Sequence, residues 1–218
     1  MKYKCLVLDH DDTVVSSTKE IHHPAFLEAL HQLRPGTPDV TCEEYFRKNF
    51  DPGFLDYCIK DFGFTEAELK QEEEIWKSFV KTRIPNAFPG IKEIIARQKA
   101  EGGLVVVVSH SFEFNIKRDY EANGLPMADE IFGWDVPKEI RKPSPYVLTK
   151  VAEKYGLTPK DFVVVDDLKP GYDMAREFGC TFVGAGWCNE VQEIRDFMKA
   201  KSDVYFTDVK SLEQYLFS

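Results

Sequence analysis

The stretch that decides the fold is residues 5–13, CLVLDHDDT, in which four apolar residues run directly into acidic and polar side chains. Two later stretches have the same form: residues 104–111, LVVVVSHS, and residues 162–167, FVVVDD. Apolar runs without polar alternation are typical of strands that are buried on both faces of a parallel sheet. The sequence therefore predicts three buried parallel strands, each of which ends in polar residues.

Helical patterns lie between these strands. They begin at proline, serine or glycine signals and end close to glycine, as helices commonly do. Weaker apolar runs suggest further strands at 131–134, 181–184 and 204–206. Strands that alternate with helices indicate an α/β fold with a doubly wound parallel sheet. The predicted helices of this part of the chain cover 90–100, 112–123, 144–155 and 171–178.

One interval breaks this alternation, because far more residues separate the first two strands than one crossover needs. It contains helical patterns at 24–33, 41–49 and 65–82 and no convincing strand. We therefore predict that residues 17–86 form an inserted α-helical subdomain. The α/β core would then consist of residues 1–16 and 87–218.

The polar residues that follow the strands predict a ligand site. In open parallel sheets, ligands bind beyond the carboxyl ends of the strands. If the three strands are neighbours, Asp9, Asp11, Asp166 and Asp167 converge, and a divalent cation would relieve their mutual repulsion. A set of oxygen ligands without cysteine or histidine favours Mg²⁺ over Zn²⁺. The alternative is that these carboxylates only cap a turn and a helix.

Two further residues suggest that the ligand is a phosphate. Lys142 precedes Pro143 in a stiffened loop ahead of a helix, so its ammonium could be held over a bound anion. Ser109 follows the second strand and could donate a hydrogen bond to the same anion. The alternative for Lys142 is an ordinary solvated side chain.

Together these motifs resemble those of the haloacid dehalogenase superfamily. The resemblance rests on DHDDT at 9–13, Ser109, Lys142-Pro143 and DDLKPG at 166–171, which occur in the family's order and span the whole core. The helical insert resembles the C1 cap of that superfamily. Asp11 favours the phosphatase and phosphomutase branch, such as phosphoglycolate phosphatase and β-phosphoglucomutase, over the dehalogenases.

The resemblance implies a role for each motif residue. Asp9 would be the nucleophile that forms an aspartyl-phosphate, and Asp11 would be the general acid and base. Ser109 and Lys142 would bind the phosphoryl oxygens. Thr13 would orient the loop of residues 9–13 beside the substrate by hydrogen bonding. Mg²⁺ would be held by a side-chain oxygen of Asp9, the backbone carbonyl of Asp11, Asp167 and, directly or through water, Asp166.

Some positions depart from the motifs or vary. Asp12 stands where the family often has glycine, so its side chain could alter the loop or point to solvent. His10 and His110 occupy variable places; His110 is a candidate substrate contact, although a neutral hydrogen-bonded histidine is the simpler interpretation.

The insert offers weaker signals. Arg47 is a candidate substrate contact, with a solvated helix end as the alternative. His22 and His23 are adjacent and have no evident third ligand, which argues against a metal site. Residues 72–74 (EEE) are interpreted as a solvated helix face. The aromatic residues are expected to form the core of the insert: Tyr45, Phe46, Phe50, Phe54 and Tyr57.

Composition sets outer bounds on the function. The net charge of −9 argues against nucleic-acid and membrane partners. Five cysteines without CxxC spacing, together with the lack of any long apolar stretch, predict a reduced, cytoplasmic protein. The sequence does not determine the oligomeric state, for which a monomer or a homodimer is the expectation.

The resulting functional prediction is a Mg²⁺-dependent phosphatase for a small phosphorylated metabolite. The alternatives are a sugar phosphomutase, a receiver-like signalling module and a non-catalytic binding protein on the same fold.

Overall fold

The computed structural model describes all 218 residues of the chain. Six strands form one sheet in the order β3-β2-β1-β4-β5-β6, and every pair of neighbours is parallel. The prediction of a doubly wound parallel α/β sheet is confirmed. The strands are β1 (Cys5–Leu8), β2 (Leu104–Val108), β3 (Glu130–Phe132), β4 (Phe162–Asp166), β5 (Thr181–Ala185) and β6 (Val204–Phe206).

Ten α-helices accompany the sheet, and none of them has both the length and the apolar character needed to cross a bilayer. The helices are α1 (His23–Leu33), α2 (Cys42–Phe50), α3 (Phe54–Phe62), α4 (Glu66–Thr82), α5 (Ile91–Ala100), α6 (Glu113–Ala122), α7 (Tyr146–Tyr155), α8 (Lys169–Phe178), α9 (Gln192–Lys201) and α10 (Val209–Leu216).

Both faces of the sheet are buried, which explains the unbroken apolar runs. Leu6 and Leu8 of β1 face a cluster that includes residues of α5, α6 and α10. Cys5 and Val7 face the opposite cluster, which includes residues of α7, α8 and α9. Because alternate residues of a strand point to opposite faces, every position of β1 must be apolar.

The interval between β1 and β2 is helical, as predicted. It contains α1 to α5, and the part before α5 has a small apolar cluster of its own around Phe26 and Tyr57. The chain enters and leaves it through two adjacent segments, since the Ser16 amide donates to the Asn86 carbonyl at 2.9 Å. A Thr65 capping box starts α4, and the Thr41 side chain caps α2. The division into a core and a cap at residues 17 and 86 stays a prediction.

The insert differs from the prediction in two details. Phe46 packs with the core cluster rather than inside the insert, and Phe50 contacts Phe197 of α9 at 5.1 Å between ring centroids. Glu72 is buried, with 6% of its surface exposed, so the interpretation of residues 72–74 as a solvated face is wrong at that position. The α4 face that carries Glu72 is turned inward because it packs on α1.

Candidate active site

The carboxyl ends of three central strands bring the predicted motifs together. β1 lies between β2 and β4, with Leu8 beside both Val107 and Val165. The Asp9 amide donates to the Val165 carbonyl at 3.0 Å, which continues the pairing beyond the strand. Asp9, Ser109 and Asp166 therefore emerge side by side at one edge of the sheet.

Three carboxylates at this edge form a buried cluster. One oxygen each from Asp9, Asp166 and Asp167 lies within 4.8 Å of the others. Burial raises the pKa of Asp9 to about 7, although the Lys142 cation opposes the shift. Burial, reinforced by the charges of Asp12 and Asp166, also raises the pKa of Asp167 well above its usual range. Crowded oxygen ligands that resist ionisation fit a hard divalent cation such as Mg²⁺.

Lys142 is the cation of this site. Its Nζ donates to Asp9 Oδ1 and to Asp166 Oδ2, both at 2.7 Å, and the residue is buried. Burial alone would lower the pKa of Lys142, but the two carboxylates raise it above its usual value, so the ammonium stays charged. A fixed ammonium in contact with Asp9 can stabilise negative charge that develops on a transferred phosphoryl group.

Asp11 lies outside the carboxylate cluster and is held by three hydrogen bonds. Asp11 Oδ1 accepts from Ser17 Oγ at 2.7 Å and from His22 Nε2 at 2.9 Å, while Oδ2 accepts from Ser111 Oγ. Burial would raise the pKa of Asp11, but His22, His10 and the Ser111 hydroxyl together outweigh burial and hold it below its usual range. The carboxylate is therefore ionised and tied to the insert and to the core at once.

The His22 ring is oriented by a second residue of the insert. Trp76 Nε1 of α4 can only donate, and it lies 2.8 Å from His22 Nδ1. Nδ1 must therefore accept, which leaves the proton on Nε2, where it faces Asp11. The sequence argued only against a metal site at His22 and gave no sign of its contact with Asp11, which depends on how the insert folds back over the core.

Asp12 does not point to solvent, which corrects one of the two options that its sequence position left open. Its φ of 58° is in the left-handed region that glycine adopts easily, consistent with glycine being common there in the family. The buried carboxylate accepts from the backbone amides of Ser17 and Thr18, both at 3.3 Å. Asp12 thus anchors the start of the insert to the first loop.

The remaining site residues support this arrangement. Thr13 Oγ1 donates to Asp167 Oδ1 at 3.4 Å, and Ser109 Oγ accepts from the Ser111 amide at 3.1 Å. Gly171 at the start of α8 leaves room for Asp166, because a Cβ there would lie 2.1 Å from Asp166 Oδ2. His10 is buried and lies 3.1 Å from Asp119, away from the carboxylate cluster.

Two candidate substrate contacts have different positions. His110 is exposed beside the site, with Nε2 3.2 Å from the Lys142 carbonyl. Arg47 instead pairs with Glu193 of α9 at 2.9 Å and with Glu43 of its own helix at 2.6 Å. Arg47 therefore joins the insert to the core, and both of its ion-pair partners lie outside the carboxylate cluster.

The parallel sheet, with an acidic site beyond the carboxyl ends of its strands, places the protein among the α/β proteins that bind ligands at this edge. The family model for haloacid dehalogenase-like hydrolases matches residues 3–179, and the chain belongs to this family. The resemblance found in the sequence motifs is thereby confirmed.

The individual proteins that resemble this chain share less than a third of their aligned residues with it. Phosphoglycolate phosphatase of Haemophilus influenzae (strain 86-028NP) is 28% identical over 136 residues, and the match spans 60% of each chain. Protein CbbY of Rhodobacter capsulatus is 24% identical over 202 residues, 84% of this chain and 85% of that one. CbbY from Rhodobacter sphaeroides, solved with xylulose-(1,5)bisphosphate, shares the fold with a TM-score of 0.73 and 20% identity over 96% of both chains.

Proposed function

We propose that the protein is a Mg²⁺-dependent phosphatase that acts on a small phosphorylated metabolite through an aspartyl-phosphate on Asp9. The observation that carries this proposal is the contact of the buried Lys142 ammonium with both Asp9 and Asp166, within a cluster that also includes Asp167. The relatives support the substrate class, because phosphoglycolate and xylulose-(1,5)bisphosphate are both small phosphate esters.

The residues of the chain would share the chemistry as follows. Asp9 attacks phosphorus, and Lys142 with Ser109 holds the phosphoryl oxygens as charge develops on them. Asp11 is ionised before substrate binds, so it would have to take up a proton before it protonates the leaving oxygen. It then takes a proton from the water that attacks the phosphoenzyme. Mg²⁺, when bound by Asp9, Asp166, Asp167 and the Asp11 carbonyl, neutralises negative charge in the site.

Residues 17–86 would act as a cap. The contact of His22 with Asp11 supports this role, because it joins the insert to the proposed general acid and base. A cap that closes over the site excludes bulk water and helps to select the leaving group. The cytoplasmic location, the monomeric or dimeric state and the lack of nucleic-acid or membrane partners stay predictions.

Turnover of p-nitrophenyl phosphate tests the proposed activity. We expect release of p-nitrophenol with Mg²⁺, and loss of at least about 99% of the rate after EDTA treatment, restored by added Mg²⁺. The control is the same reaction mixture with Mg²⁺ and substrate but without the protein. A rate that is equal with Mg²⁺ and with EDTA would contradict the proposal.

Mg²⁺ is also expected to stabilise the protein in a pH-dependent way. Because the pKa of Asp9 is raised from 3.8 to about 7, the metal-free folded state retains a proton that the unfolded chain releases. The contribution of Asp9 therefore lowers the free energy of unfolding as pH rises from about 4 to about 7, and this destabilisation is complete above that range. Mg²⁺ competes with this proton, so it should raise the melting temperature more at about pH 8 than at about pH 5.5.

The control for this stabilisation is Asp167→Asn, which should reduce the Mg²⁺-induced rise at about pH 8. A rise of equal size at both pH values, or the same rise in the variant, would argue against a carboxylate-bound ion.

A further inference from the structure

An arginine, a tryptophan and a histidine form a cluster beside Lys142, here named the Arg141 cluster (Arg141, Trp134 and His110). The Arg141 guanidinium carbon lies 4.0 Å from the centroid of the Trp134 ring. The His110 ring also contacts the Trp134 ring, with 5.6 Å between the two ring centroids in a T-shaped geometry. The Arg141 cluster therefore combines the Arg141 guanidinium with the aromatic rings of Trp134 and His110.

The cluster borders the proposed phosphate site through the chain itself. Arg141 is bonded to Lys142, and His110 lies between Ser109 and Ser111. His110 Nε2 is also 3.2 Å from the Lys142 carbonyl, and the Trp134 amide donates to the Ser111 carbonyl at 2.8 Å. Contacts of 3.2 Å, 5.6 Å and 4.0 Å thus link the Lys142 carbonyl, the His110 ring, the Trp134 ring and the Arg141 guanidinium in turn, so the cluster lies beside the loops that carry Ser109 and Lys142.

Arg141 has no carboxylate partner, which is unusual in this chain. Of the eight arginines, six form ion pairs with aspartate or glutamate. The Arg141 side chain makes one hydrogen bond, from Nε to the Val136 carbonyl at 2.8 Å. In a protein with a net charge of −9, a guanidinium without an acidic partner next to an anion site is available to an anionic ligand.

The guanidinium is also preorganised. Its contact with the tryptophan ring holds the guanidinium over the ring face, and the hydrogen bond from Nε fixes the plane of the guanidinium. The two Nη groups remain free, and their planar geometry matches a carboxylate or a phosphate with two parallel hydrogen bonds.

We propose that the Arg141 cluster binds a second anionic group of the substrate. The enzyme would then prefer phosphate esters whose leaving group carries a carboxylate or a second phosphate, with Arg141 as the residue that determines this specificity. This inference rests on the proposed function, because the first phosphate must lie at Asp9 and Lys142 for the second group to reach Arg141.

Three esters whose leaving groups share a two-carbon backbone test the proposal: ethyl phosphate, phosphoglycolate and ethane-1,2-diol bisphosphate. They carry no second anion, a carboxylate and a second phosphate, respectively. We expect wild-type kcat/KM to be higher for at least one of the anionic esters than for ethyl phosphate. In Arg141→Gln this preference should fall about tenfold, which corresponds to about 1.4 kcal/mol, and Arg141→Lys should restore part of it.

The matched control is Arg97→Gln. Arg97 also lies over an aromatic ring, Phe217, at 4.4 Å, but it is in the last turn of α5 and pairs with Glu101. Its replacement removes the same charge and should leave the preference between esters unchanged. Trp134→Leu should weaken the preference because it frees the guanidinium.

The outcomes separate this proposal from the proposed function. An unchanged preference in Arg141→Gln, or an equal loss of kcat/KM for all three esters, would overturn the role of Arg141 while leaving the phosphatase intact. Failure of the wild-type protein to hydrolyse either these esters or p-nitrophenyl phosphate would overturn both. The anionic ester that loses more rate in Arg141→Gln identifies the second group as carboxylate or phosphate.

Discussion

Replacing Asp9 with asparagine is expected to lower kcat for p-nitrophenyl phosphate by at least about 10⁴-fold, because the amide cannot act as the nucleophile. The variant should remain folded. Burial already favours the neutral form of Asp9, as its pKa of about 7 indicates, so an uncharged side chain of the same shape is tolerated there. Steady-state kinetics with saturating Mg²⁺ and a thermal melt measure the two effects.

Asp173→Asn is the matched control for this substitution. Asp173 lies on α8 and pairs with Lys169 at 3.2 Å at the surface, so the change should leave kcat within about twofold. Turnover of Asp9→Asn close to the wild-type rate would show that another group attacks the phosphate.

Replacing Lys142 with methionine is expected to have the largest effect on stability. The change leaves Asp9 and Asp166 buried without the cation that both contact at 2.7 Å. Breaking a buried ion pair by removing one partner costs about 3–5 kcal/mol. Urea unfolding of the metal-free protein should therefore show a free energy of unfolding lower by about that amount, and kcat should fall by about 10²–10³-fold.

Lys150→Met provides the comparison, since Lys150 pairs with Glu153 on the exposed face of α7. An exposed pair contributes at most about 1 kcal/mol, so this variant should unfold almost as the wild type does. Equal losses of stability in the two lysine variants would contradict the proposed charge balance of the site.

The sheet and most of the site could be predicted because their signals are local in the sequence. Each apolar run that is buried on both faces identifies a strand, and the polar residues that follow it lie at the same edge once the strands are parallel. Asp9, Asp11, Asp166 and Asp167 were predicted to converge. The structure brings oxygens of Asp9, Asp166 and Asp167 within 4.8 Å of one another, whereas the Asp11 side chain turns to His22 and Ser111 instead. Lys142 was found from its position before Pro143 and contacts Asp9, and its binding of a phosphate stays a prediction.

The partners of Asp11 could not be predicted because they come from separate parts of the fold. Ser17 lies where the insert begins, His22 just before α1, and Ser111 after β2. No sequence spacing relates these three residues. Trp76, which orients His22, is separated from it by 54 residues and meets it only because α4 packs on α1 and on the turn before it.

Other differences arise where tertiary packing decides the outcome. Glu72 follows the pattern of a charged surface run, yet α4 turns it inward. Residues 192–201 and 209–216 form α9 and α10, although their charged and polar residues obscure the apolar face that packs on the sheet. Phe46 and Phe50 were predicted to lie in the core of the insert but contact the α/β core, because α2 packs on α9.

The most direct test of the central claim is to identify the residue that carries the phosphoryl group during turnover. The enzyme is mixed with Mg²⁺ and excess substrate, quenched in acid within one turnover, digested and examined by mass spectrometry. The account predicts a peptide containing Asp9 that is heavier by one phosphoryl group, absent after hydroxylamine treatment and absent from Asp9→Asn. A phosphoryl group on any other residue, or an active enzyme that hydrolyses its substrate with no phosphorylated peptide at all, would contradict it.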